Sequence, residues 1–164
     1  MPALRQLAAW GGRGQAGFTL VELVLVLVLL AVLSAVAIPR LSDADTFKAL
    51  AFGEQVRATM RLAQKTAVSH RRLVCASFTA SSVTLTIATV FPANACNTNV
   101  PPPSGGTAYA SSGSATLGPL TDLYFQPSGF VTSDAAGSTT VNPAILTISN
   151  ARSVTIYGDT GYVD

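Results

Sequence analysis

The first pattern along the chain is a long stretch with almost no polar interruption. Residues 18–38 read FTLVELVLVLVLLAVLSAVAI, with one charge, Glu22. At about 1.5 Å of rise per residue, a helix of that length spans the ~30 Å hydrocarbon core of a bilayer. After Pro39 the chain turns polar, and Ser42, Asp43 and Asp45 suit the first turn of a renewed helix. Ala49, Phe52, Val56, Met60, Ala63 and Ala67 then recur at intervals of three and four. That spacing predicts one apolar stripe on an α-helix, the face that packs on a sheet. The opposite face carries Arg57, Arg61 and Lys65, followed by Arg71 and Arg72. It reads as a solvated or subunit-facing surface, with Glu54 pairing to Arg57 at i, i+3.

From Leu73 the period changes to two. Residues 73–79 and 83–89 are rich in strand-forming types, and Ala80-Ser81-Ser82 between them reads as a tight hairpin turn. Val83, Leu85 and Ile87 alternate with threonines, which predicts a sheet covered on one side only. Residues 92–119 hold Pro101-Pro102-Pro103, Gly105-Gly106 and many serines, and read as loop. Beyond them, Leu123-Tyr124-Phe125 leads into a Pro127-Ser128-Gly129 turn and 144–149 reads as a strand. Residues 154–157 and 162–163 then flank a Gly158-Asp159-Thr160-Gly161 hairpin turn. The fold class expected is α+β: a long N-terminal helix packed on an antiparallel sheet.

Charge adds one fact about the N-terminus. The chain has ten Lys/Arg and eight Asp/Glu, and Arg5 and Arg13 precede the apolar run with no acid beside them. By the positive-inside rule they hold the N-terminus in the cytoplasm and send the rest out. Without residues 1–17 the balance is eight against eight, so a nucleic-acid partner has little support in composition. Catalytic signatures are weak. Asp159-Thr160-Gly161 matches the turn of aspartic proteases, but lies too near the last residue for that fold to surround it. His70 stands without a G-x-S-x-G elbow. Asp122, Asp134, Asp159 and Asp164 are too dispersed to name a calcium site, and two cysteines with one histidine are too few for zinc. No enzyme and no cofactor is expected.

The apolar run admits three readings. Ala35-Val36-Ala37 would suit a general signal peptidase, and a single-pass anchor is the second reading. Both leave Glu22 unexplained, because an ionisable group within a span costs roughly 2.5–3.5 kcal/mol. The third reading explains it. Gly17-Phe18-Thr19-Leu20-Val21-Glu22, followed by the uncharged run, resembles the prepilin cleavage site of type IV pilins and type II secretion pseudopilins. The resemblance implies cleavage between Gly17 and Phe18 by a membrane aspartyl prepilin peptidase, N-methylation of Phe18, and an assembly role for Glu22. It implies residues 1–17 as leader, 18–39 as a transmembrane and filament-core helix, and 40–164 as a periplasmic head. Pro39 falls where many members carry a proline that bends the helix. The partners implied are other pilin or pseudopilin subunits and an inner-membrane assembly platform.

In an exported chain, Cys75 and Cys96 most simply form one disulfide, with buried thiols as the alternative. The bond would tie the proline-rich loop to the first strand and contribute roughly 3 kcal/mol. The helix end at 61–68, Arg71-Arg72-Leu73-Val74 entering a hairpin, and the Phe125-x-Pro127-x-Gly129 turn resemble H-type minor pseudopilins and FimT-like minor pilins. The cysteines are similar to those of minor prepilins of the mannose-sensitive haemagglutinin pilus. FimT-like DNA-uptake pilins use basic residues near the C-terminus. Here Arg152 is the only Lys or Arg after Arg72, which argues against a DNA groove.

Overall fold

The computed structural model describes residues 18–41, 44–103 and 105–164, with backbone alone for 36–41. The chain divides after Leu41 into two compact units. The first contains α1 (Leu20–Leu41), which continues through Pro39. Thr19 stands just before it, and Glu22 is the acidic residue of its first turn. Among the described residues no helix is long and apolar enough to cross a membrane, and the side chains of α1 are described only as far as Ala35. The expectation that 18–39 spans a membrane therefore stands on the sequence.

The second unit is built around α2 (Ala44–His70). All six residues of the apolar stripe are buried: Ala49, Phe52, Val56, Met60, Ala63 and Ala67. Burying a side chain the size of Phe52 or Met60 contributes roughly 1.5–3 kcal/mol, so the stripe fixes which face of α2 meets the sheet. Asp45 in the first turn pairs with Lys48 at 3.3 Å. Ser42 and Asp43 lie outside the described residues. The helix closes in a Schellman turn: Arg72 N–H donates to the Ala67 carbonyl at 3.1 Å and Arg71 N–H to the Val68 carbonyl at 3.3 Å. Arg71 takes the left-handed position, with φ of 52°.

The stripe lies on an antiparallel sheet formed by β1 (Val74–Thr79), β2 (Ser82–Ile87), β3 (Thr98–Asn99), β4 (Tyr109–Ala110), β6 (Leu123–Phe125) and β7 (Val131–Thr132). The strand order is β3-β2-β1-β6-β7, and β4 also pairs with β2. The β1–β2 register runs from Val74↔Ile87 to Thr79↔Ser82, leaving Ala80 and Ser81 as the turn. A second sheet, β5-β8-β9, is formed by β5 (Leu117–Gly118), β8 (Ala144–Ile148) and β9 (Val154–Ile156). Residues of both sheets join α2 in one core, including Phe125 and Leu85 from the larger and Ile156 and Val154 from the smaller. Gly53 lets the smaller sheet come close: a Cβ there would stand 3.2 Å from that of Ala151.

Four expectations change. The segment 92–119 is not all loop, since β3, β4 and β5 are short strands held by pairing to β2 and β8. The smaller sheet is an addition. The larger sheet is not bare on its second face, because Leu73, Cys75 and Ala88 are buried there under Ala93, Cys96, Tyr124 and Ala135. Finally, the arginine row of α2 is not a uniformly solvated face. The Arg57 side chain keeps only 13% exposure and pairs with Glu54. Arg61 donates from Nε (3.3 Å) and Nη2 (3.0 Å) to the Val163 carbonyl. Lys65 remains exposed.

Candidate functional site

Gly17 lies outside the described residues, and Phe18 and Thr19 are exposed ahead of α1. The Thr19 hydroxyl accepts the Glu22 N–H at 3.2 Å, while its carbonyl accepts the Leu23 N–H at 3.1 Å. Thr19 is thus the N-cap of α1, three residues before Glu22. Thr19-x-x-Glu22 has the spacing of a capping box, a signature readable in sequence that considering Glu22 alone misses. The cap satisfies one free N–H of the first turn without using the carboxylate. A negative charge there gains roughly 0.3–1 kcal/mol from the helix dipole.

Beyond Glu22, α1 is apolar on every side. Its Leu and Val residues are exposed, from Leu20 at 79% to Leu33 at 64%. Ser34 is the one hydroxyl within 20–35, and it donates to the Leu30 carbonyl at 2.7 Å. It therefore presents no unsatisfied donor to an apolar surrounding. An exposed apolar surface of this extent marks an interaction surface.

Cys75 of β1 and Cys96 are bonded, with Cα atoms 6.0 Å apart and a sequence separation of 21. The bond anchors the 88–97 segment over the second face of the sheet. The other candidates do not converge. Asp159 sits exposed on the last turn, whose Thr160 carbonyl accepts from Gln64 Nε2 at 3.0 Å. A Cβ at Gly161, φ of 66°, would collide with the Gln64 side chain and the Gly129 carbonyl. Asp134 is held below the usual carboxylate range by the N–H groups of Ser138 (3.0 Å) and Thr139 (2.7 Å). Among the described residues, no three His, Cys, Asp or Glu side chains gather where they could hold a metal.

Residues 12–38 match the model of the prokaryotic N-terminal methylation motif. The motif supports a type IV pilin-like prepilin processed by a peptidase, a protein that builds structure. It covers the junction at Gly17, the cap and the apolar helix. No curated protein and no solved structure matches the chain.

Proposed function

We propose that the chain is a minor pilin or pseudopilin subunit of a type IV pilus or type II secretion filament. The observation that carries this reading is α1: an apolar helix with its described side chains exposed, lying within the match to the methylation motif. Prepilin peptidase would cut between Gly17 and Phe18, and Phe18 would become the methylated N-terminus. Residues 18–39 would sit in the inner membrane and later in the filament core, with the head, 40–164, in the periplasm. An assembly platform would then extract the subunit. The finer assignment, an H-type or FimT-like subunit, is supported by the resemblance of the α2 end and the 125–129 turn.

Glu22 would pair with the α-amine of a neighbouring Phe18 and set the axial register between subunits, an attraction strengthened by poor screening. The DNA-uptake reading has less to draw on, because Arg57 is paired with Glu54 and Arg61 is spent on the Val163 carbonyl.

Mass spectrometry of the mature protein from cells with a prepilin peptidase should find N-methylated Phe18 first. An N-terminus at Ile38 would overturn the proposal in favour of an exported domain that never polymerises. Glu22→Val should leave cleavage and membrane insertion intact and reduce capture of partner subunits from solubilised membranes.

A further inference from the structure

A cavity of about 490 Å³ opens beside the C-terminal turn of α2, between that turn and the ends of β2 and β3. It falls in the size range of small-molecule sites. Thr66 and His70 enter it from α2, Arg72 from the Schellman turn, Ile87 from β2, and Thr98 and Asn99 from β3. The turn is what brings the two side chains together: with Arg71 left-handed, the chain folds back so that His70 and Arg72 line one concavity. Arg71 lines a different one.

The charge of this cavity is one-sided. From Gln55 to Thr121 the sequence contains no Asp or Glu. The ion pairs among the described residues, Lys48–Asp45 and Arg57–Glu54, both lie on the N-terminal half of α2. Arg72 makes one long contact, Nη1 to the Ala88 carbonyl at 3.4 Å, which leaves most of its five donors for other use. Apolar ligands would strip water from a guanidinium and leave it unpaired, and cations would be repelled. An oxyanion satisfies it, most strongly in the two-pronged geometry a planar guanidinium offers. The helix dipole opposes an anion here with only about half a charge. The Ala67 and Val68 carbonyls that carry part of it are already covered by the Arg72 and Arg71 N–H groups. Threonine hydroxyls beside Ile87 suit a body with both hydroxyl groups and an apolar C–H face.

We propose that this cavity binds a small acidic saccharide, its oxyanion on Arg72 and His70 and its hydroxyls on Thr66 and Thr98. The oxyanion can be a uronate carboxylate or a sugar phosphate, and the test separates the two.

The purified full-length chain in detergent micelles is titrated with glucuronate, glucose 6-phosphate and glucose, following backbone amides by NMR. Saturable shifts at Thr66, Ile87–Thr89 and Thr98 with either acidic sugar, and none with glucose, are expected. The sugar that binds more tightly names the source of the oxyanion. Arg72→Gln should weaken binding by roughly tenfold or more, with Arg72→Lys intermediate. His70→Gln, at an exposed position, should weaken it a few-fold and stands in should Arg72→Gln not fold. Glucose binding as well as glucuronate, affinity unchanged in both Arg72→Gln and His70→Gln, or no shift with any sugar up to about 10 mM would overturn the assignment. So would binding of a DNA duplex with no binding of either acidic sugar.

Discussion

Replacing Cys75 and Cys96 together with alanine removes the cross-link that holds the 88–97 segment on the second face of the larger sheet. With a sequence separation of 21 between the cysteines, the chain-entropy relation gives a loss of about 3 kcal/mol. Few other contacts would take up the load. β3 contributes two register pairs to β2, Thr86↔Asn99 and Ile87↔Thr98, and the segment adds Asn97 N–H to the Ile87 carbonyl at 3.3 Å and Ala88 N–H to the Leu73 carbonyl at 2.9 Å. For a head of about 120 residues, an unfolding entropy of ~2.1 cal/mol/K per residue turns 3 kcal/mol into a fall of roughly 12 °C in midpoint. The α2 stripe packs on the opposite face, so far-ultraviolet circular dichroism below the transition should not change.

The assay is thermal unfolding of the full-length double variant and wild type in the same detergent, with and without a thiol reductant. Reductant should lower the wild-type midpoint to that of the variant and leave the variant where it is. Amide exchange should speed up at Ala88 and Asn97 before it does at Val74 or Phe125. A fall of less than about 4 °C, equivalent to roughly 1 kcal/mol, would refute the reasoning. The second face would then be held by the β2–β3 pairing and by the Leu73–Ala88 contact.

Two further outcomes follow from local geometry. Arg71 occupies the left-handed position of the α2 Schellman turn, a conformation costing a side-chain-bearing residue roughly 1–2 kcal/mol. Arg71→Gly should therefore raise the denaturant midpoint by an amount worth about 0.5–1 kcal/mol, net of glycine's greater unfolded-state entropy; a lower midpoint would mean the arginine makes a contact worth more than the strain. Asp134 has its folded-state pKa depressed, first by the Ser138 N–H and then by that of Thr139, so its contribution is present above the unfolded carboxylate pKa and is lost as pH falls through the folded value. Asp134→Asn should flatten the loss of stability below about pH 4 relative to wild type, and identical acid limbs in denaturant titrations at pH 7 and pH 3 would exclude the effect.

The elements most legible in the sequence are those whose signal is periodic and local. The α2 stripe repeats at helical spacing over nineteen positions, Ala49 to Ala67, and every member is buried. The β1–β2 hairpin is announced by alternation and a short polar turn. What stayed hidden depends on partners far along the chain. Nothing near Arg61 signals that its acceptor is the Val163 carbonyl, 102 residues away. Gly53 looks like a weak point in a helix until Ala151 is seen against it. The two-residue strands β3 to β5 have no pattern of their own, and proline and glycine dominate their neighbourhood. The cover over Cys75 consists of alanines, a cystine and a tyrosine, too small and scattered to show alternation. At the N-terminus, the cleavage motif is legible from its residues alone, whereas the cap is legible only if Thr19 and Glu22 are read together.

That cap changes how Glu22 is weighed. Its backbone N–H is satisfied by the Thr19 hydroxyl, so the carboxylate is not consumed in closing the helix end. The dipole of α1 favours a negative charge in the first turn by about 0.3–1 kcal/mol, whereas a charge within a membrane span costs roughly 2.5–3.5 kcal/mol. The helix alone thus offsets a minor part of that cost, less still as Glu22 lies deeper in apolar surroundings. On the proposed membrane placement, a nearby cation would supply the rest. On the proposed cleavage, the amine of Phe18 is the new charge nearest at hand, but on its own chain it sits before the free N–H groups of α1, where positive charge is disfavoured. On the proposed assembly, the Glu22 carboxylate of another subunit would neutralise that amine, and the pair would be a reason for two apolar helices to associate in one register.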